Sequence, residues 1–154
     1  MPDAAPCAHW TDWPQRLAAD HGPTLANLVA GLTDRANAHR LGVSERTVQR
    51  RIRELMDWSD SGNRMQLGHR AALAGLPAVH HCRHSQHRLE PPALLVPDAA
   101  ALRLLRLLLA DAAADRTLNM SVSSVERRVR DLMTLTGARS RAQLGWLATR
   151  WGWL

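Results

Sequence analysis

Arginine stands at positions 46, 50, 51 and 53 of the segment "LGVSERTVQRRIRELM" (41–56), with Thr47 and Gln49 among them. These side chains suit one kind of chemistry. A guanidinium pairs bidentately with a guanine edge or a phosphate, a glutamine amide pairs with adenine, and a threonine hydroxyl donates to a phosphate. In a helix, Val48, Ile52, Leu55 and Met56 share one face and leave Glu45, Arg46, Gln49, Arg50 and Arg53 on the other. The competing reading of such a face is a charged helix surface that simply meets water. The chain then writes nearly the same segment again, "LNMSVSSVERRVRDLM" (118–133), which carries Arg127, Arg128 and Arg130. In this second copy Val122, Ser123 and Glu126 replace Glu45, Arg46 and Gln49.

The elements that must hold these residues are themselves repeated. An ungapped shift of 77 residues aligns Leu41 with Leu118, Ser44 with Ser121, Arg50 with Arg127, and Gln66-Leu67-Gly68 with Gln143-Leu144-Gly145. The 154-residue chain therefore contains two copies of one unit. Each copy reads as four short helices. In the first, Leu25, Leu28, Val29 and Leu32 recur at helical spacing. A second helix spans about 34–41 and stops at Gly42, Ser44 caps a third, and Asn63 caps a fourth that runs to about Ala74. The second copy places helices near 98–110, 111–118, 121–135 and 140–151, with Ser121 and Ser140 as caps and Asn119 in the place of Gly42. The expected fold is all-α: an N-terminal extension over 1–23 with a short helix starting near Thr11 or Pro14, a first unit over 24–75, a linker rich in proline and histidine over 76–97, and a second unit over 98–154.

Two short helices about a tight turn, followed by a third helix, form the grammar of the helix-turn-helix. Residues 31–67 resemble the LuxR-type (GerE-type) DNA-binding domain, through Gly31, Gly42-Val43-Ser44, Thr47-Val48 and Asn63-Arg64. The second copy resembles it through Met120-Ser121, Ser124-Val125, Arg127-Arg128 and the ending "GARSRAQLGWLATRWGWL". The resemblance implies a bacterial transcription regulator whose third helix enters the major groove of double-stranded DNA, with helix four as a dimer contact. On that basis Arg46, Gln49, Arg50 and Arg53 are expected to meet bases, with Thr47 and Arg51 turned towards phosphates. Arg127, Arg128 and Arg130 are expected to meet phosphates from the second copy. Fusion of two copies makes the pairing of units intramolecular, so one chain would span two unlike half-sites. Chain dimerisation through helix four stays open as an alternative.

Composition agrees with a polyanion partner. All 20 Lys+Arg residues are arginine, the formal net charge is +6 and the pI is about 11.2. The most apolar stretch, 99–110, is broken by Arg103 and Arg106, so no membrane span is expected. No basic region followed by an apolar core opens the chain, and a cytoplasmic location is expected. Cys7-Ala8-His9 and Cys82-Arg83-His84, with His80, His81 and His87 nearby, offer Cys7, His9, Cys82 and His84 as a zinc set. The simpler reading is a polar linker, and no cofactor is expected. No phosphate loop, nucleophile elbow or set of paired carboxylates appears, so no enzymatic activity is expected. The alternative function is an interaction module that keeps the fold without binding DNA. It would dock RNA polymerase or another regulator through the C-terminal end that carries Trp146, Trp151 and Trp153.

Overall fold

The computed structural model describes residue 17 and residues 19–76, 96–110 and 114–154. Among these residues every regular element is helical. Four helices, α1 (His21–Val29), α2 (Asp34–Leu41), α3 (Glu45–Trp58) and α4 (Arg64–Leu73), precede residue 77. Then come α5 (Ala99–Leu109), the single turn α6 (Ala114–Thr117), α7 (Val122–Thr136) and α8 (Arg141–Arg150). The helix expected near Thr11 or Pro14 lies outside the described residues, as do 111–113 of the helix expected over 111–118.

Local chemistry sets the helix ends. Ser44, Asn63, Ser121 and Ser140 each occupy the N-cap in extended backbone, and each accepts from the amide three residues on. Thr33 does the same for α2; its counterpart before α6 is Ala110, which has no acceptor to offer. Gly42 stops α2 in the left-handed region at φ 65°, and Asn119 takes the equivalent place at φ 52°. One boundary differs from expectation. α1 begins at His21, three residues earlier than Thr24, because Pro23 falls in its first turn, where a missing N–H costs no intrahelical bond. The helix ends at Val29, so Leu32 lies in the connection to α2, half-buried.

Asn37, a polar residue on the buried side of α2, is fully buried and fully partnered. Its Nδ2 donates to the Thr24 carbonyl at 3.0 Å, and its Oδ1 accepts from Asn27 Nδ2 at 3.0 Å. The amide pair fastens α1 to α2 at no cost in unsatisfied polar groups.

The most extensive helix contact is between α4 and α8. These helices cross at their backbones: a Cβ on Gly68 would collide with the Ala142 carbonyl, and a Cβ on Gly145 would collide with the Met65 carbonyl. Because 68 corresponds to 145 and 65 to 142 in the sequence repeat, the two contacts are one contact made twice. Reciprocity of this kind is the mark of a two-fold relation. The flanking hydrogen bonds use equivalent donors, on carbonyls two or three residues apart in the repeat. Asn63 Nδ2 donates to the Leu108 carbonyl at 3.0 Å, while Ser140 Oγ donates to the Leu28 carbonyl at 3.1 Å. Gln66 accepts from Gly62 N–H and donates to Leu109 O; Gln143 accepts from Arg139 N–H and donates to Ala30 O. Each fourth helix thus adds side-chain donors to the last carbonyls of the opposite first helix. Leu25, Leu28, Ile52, Leu67, Leu104, Leu105 and Leu144 belong to one buried cluster that runs through both halves.

Two predictions test this packing. Gly68→Ala or Gly145→Ala is expected to destabilise by about 3 kcal/mol, at the upper end for overpacking. Gly22→Ala, in open space on α1, gains roughly 0.5 kcal/mol from helix propensity. Urea midpoints of the three variants check the contrast. The second concerns His69 on α4, whose Nδ1 meets Thr149 Oγ1 of α8 at 2.7 Å. Burial, with the charge of Arg70 beside it, pushes this imidazole below its ordinary range. The fold therefore prefers the neutral ring. Its contribution is complete above the ordinary histidine pKa of 6.5 and is lost as pH falls below that value, since the unfolded chain takes up the proton first. The melting temperature is expected to drop more between pH about 7.5 and about 5.5 in the wild type than in His69→Gln; equal drops would remove His69 as the cause.

Candidate nucleic-acid interface

α3 buries Val48, Ile52 and Leu55 and turns Glu45, Arg46, Gln49, Arg50 and Arg53 outward, all exposed. Four of the six residues singled out on this helix, Arg46, Gln49, Arg50 and Arg53, therefore share one accessible face. Thr47 is half-buried at its edge, where its hydroxyl meets Ser44 Oγ at 2.8 Å and its amide donates to the same oxygen at 3.1 Å. Arg51 stands apart. Its side chain is only 12% exposed, and Nη2 lies 3.1 Å from Asp20 Oδ2, just before α1. This arginine ties α3 to the chain ahead of α1 instead of lying open beside the other four.

The support behind this face comes from residues that carry no chemical motif in the sequence. His21 Nε2 lies 2.6 Å from Glu54 Oε2, and its ring packs 4.6 Å from that of Trp58. Glu54 Oε1 also lies 3.8 Å from Arg50 Nε, one turn back along α3. On the other side, Arg64 grips Asp34 through both nitrogens, at 2.6 and 2.7 Å, and locks the start of α4 to the start of α2. The Arg51–Asp20 ion pair, the His21–Glu54 hydrogen bond and the His21–Trp58 ring contact thus hold α3 against α1. Nothing in the spacing of Asp20, His21 and Glu54 announces these contacts, because Asp20 and His21 each stand 30 or more residues before their partners Arg51 and Glu54 and meet them only through packing.

α7 presents the corresponding face. Val125, Val129 and Leu132 are buried, and Arg127, Arg128 and Arg130 are all exposed. Arg128 is the counterpart of Arg51, yet it lies open; the residue that corresponds to Asp20 is Pro97, which carries no charge to hold it. Glu126, half-buried, is gripped by Arg141 of α8. Arg141 is the counterpart of Arg64, so the same arginine position bonds α2 in the first half and the outward face of α7 in the second.

Of the C-terminal aromatic residues, Trp146 is buried and donates through Nε1 to the Leu76 carbonyl at 3.1 Å. Trp151 and Trp153 are half-buried and meet edge to face at 5.0 Å. Most of this aromatic surface is thus taken up in packing. Cys7, His9, Cys82 and His84, with His80, His81 and His87, lie outside the described residues. Among the described residues no group of three or more His, Cys, Asp or Glu side chains is arranged to hold a metal ion, and no helix is long and apolar enough to cross a membrane.

No protein-family model, curated protein or solved structure matches this chain.

The two arginines of α3 separate structural from accessible roles. Arg51→Ala is expected to cost about 1 kcal/mol, largely from the packed stem, since Asp20 is mostly exposed and its ion pair is screened. Arg53→Ala should stay within about 0.5 kcal/mol of the wild type. Denaturant titration of the two variants measures the difference, and equal stabilities would place Arg51 outside the support of α3.

Proposed function

We propose that this chain is a sequence-specific DNA-binding transcriptional regulator built from two fused units of the LuxR-like helix-turn-helix kind. The observation that carries the reading is the face of α3. Arg46, Gln49, Arg50 and Arg53 are exposed together on a helix capped by Ser44 and braced from behind by Asp20 and His21. A net charge of +6 supplies the long-range attraction to a polyanion. The turn before α3, with Gly42 in the left-handed region and Ser44 as cap, matches the docking grammar in which a short helix crosses the backbone and the next enters the major groove.

The crossing of α4 and α8 supports a more specific arrangement. Two units related by a two-fold axis present their third helices to a duplex in opposite senses, so the two half-sites would run as an inverted pair. The interface that a family member would use between chains is occupied here within one chain, which makes a single chain the reading unit.

Fluorescence anisotropy with duplexes enriched from a random pool, measured between about 50 and 200 mM salt, tests the reading. The wild type should bind selected duplexes more tightly than random ones, with affinity falling steeply as salt rises. Arg50→Ala should lose about 1–3 kcal/mol on the selected duplex and discriminate less at one position, with helix content unchanged. If no duplex binds even at low salt, the proposal fails, and a protein partner becomes the object of search.

A further inference from the structure

The second outward face is not a faded copy of the first but has a chemistry of its own. At the first helical position, where helix-turn-helix proteins bring side chains to base edges, α3 carries Glu45 and α7 carries Val122. Val122 is 63% exposed. An acid at that place would favour the helix dipole, a β-branched residue lowers helix propensity, and an exposed valine gains nothing from burial. The fold therefore supplies no reason for it. Ser123 then stands where Arg46 stood, a small polar residue beside the valine. A third departure, Glu126 in place of Gln49, would set a bare carboxylate before the phosphates of a duplex, but Arg141 reaches across from α8 and grips it. Behind these stand Arg127, Arg128 and Arg130, all exposed. An apolar tip, a neutralised acid and an arginine cluster together suit a groove wall that displays a methyl group between phosphate rows. Thymine is the base that displays one, at C5.

We infer that α7 reads its half-site by apolar contact between Val122 and a thymine methyl group, with Arg141 as a positioning residue that cancels the charge of Glu126 so that the helix can approach. This rests on the DNA-binding reading above and deepens it. The chain then distinguishes its two half-sites chemically: hydrogen bonds to purine edges from α3, and methyl contact from α7. Its orientation on a duplex is fixed by that difference.

The test uses the full chain and a duplex selected by the wild type from a random pool. Each thymine is replaced in turn by deoxyuridine, which keeps every hydrogen-bonding group and lacks only the methyl. One replacement, outside the half-site weakened by Arg50→Ala, should reduce wild-type affinity about fourfold, the worth of one buried methyl. Val122→Ser, a change on an exposed helix position that removes the apolar contact, should bind the thymine and deoxyuridine duplexes alike. Separately, Arg141→Ala should weaken binding, and Glu126→Gln in the same chain should restore it. Tight, selective binding that is indifferent to every deoxyuridine overturns the methyl contact while leaving the DNA-binding reading intact. Loss in Arg141→Ala that Glu126→Gln does not restore overturns the positioning role. Absence of any duplex binding overturns both readings together.

Discussion

The backbone-to-backbone crossing of α4 and α8 is the constraint on which the rest of the molecule depends. At Gly68 and Gly145 there is no room for a single further carbon, and that closeness brings Gln66, Gln143, Asn63 and Ser140 within reach of the opposite first helices. Those bonds add side-chain donors to carbonyls at the helix ends, and they orient α1 and α5. Since α1 braces α3, the attitude of the outward arginine face is set from the middle of the molecule. A looser crossing would free both third helices from any fixed relation to each other.

Much of this was legible in the sequence wherever the cause is local. The repeat, the caps at Ser44, Asn63, Ser121 and Ser140, the left-handed stops at Gly42 and Asn119, and the inward triplet Val48, Ile52 and Leu55 all follow from spacing and residue type within a turn or two. The rest depends on partners distant in the chain. Arg51 looks like Arg50 and Arg53 when read along the helix, and only the approach of Asp20 separates it from them. Asn37 reads as a polar intruder until Asn27 and the Thr24 carbonyl are brought to it by folding. The triplet Gln-Leu-Gly was visible at 66–68 and again at 143–145. Its meaning, a polar reach beside a bare backbone, needs the second helix in place.

The two halves keep the same frame and spend their charges differently. Arg64 and Arg141 begin equivalent helices, yet one is bound to Asp34 and the other to Glu126. Arg51 and Arg128 are likewise equivalent, and one is paired while the other lies open, because Asp20 is matched by Pro97. Differences at single positions thus separate arginines held within the fold from arginines left at the surface, while the caps Ser44 and Ser121 and the buried Val48 and Val125 stay the same.

Repetition within one chain also changes what a mutation can do. In a homodimer every substitution is written into both halves at once, so a change that improves one contact alters its mirror image as well. Here the gene encodes each half separately, and a substitution in α7 leaves α3 as it was. The shared crossing ties positions 68 and 145 to glycine through their opposite neighbours, while the outward faces on either side are released to diverge. Each outward face can therefore change one residue at a time, about a centre in which neither glycine has room for a side chain.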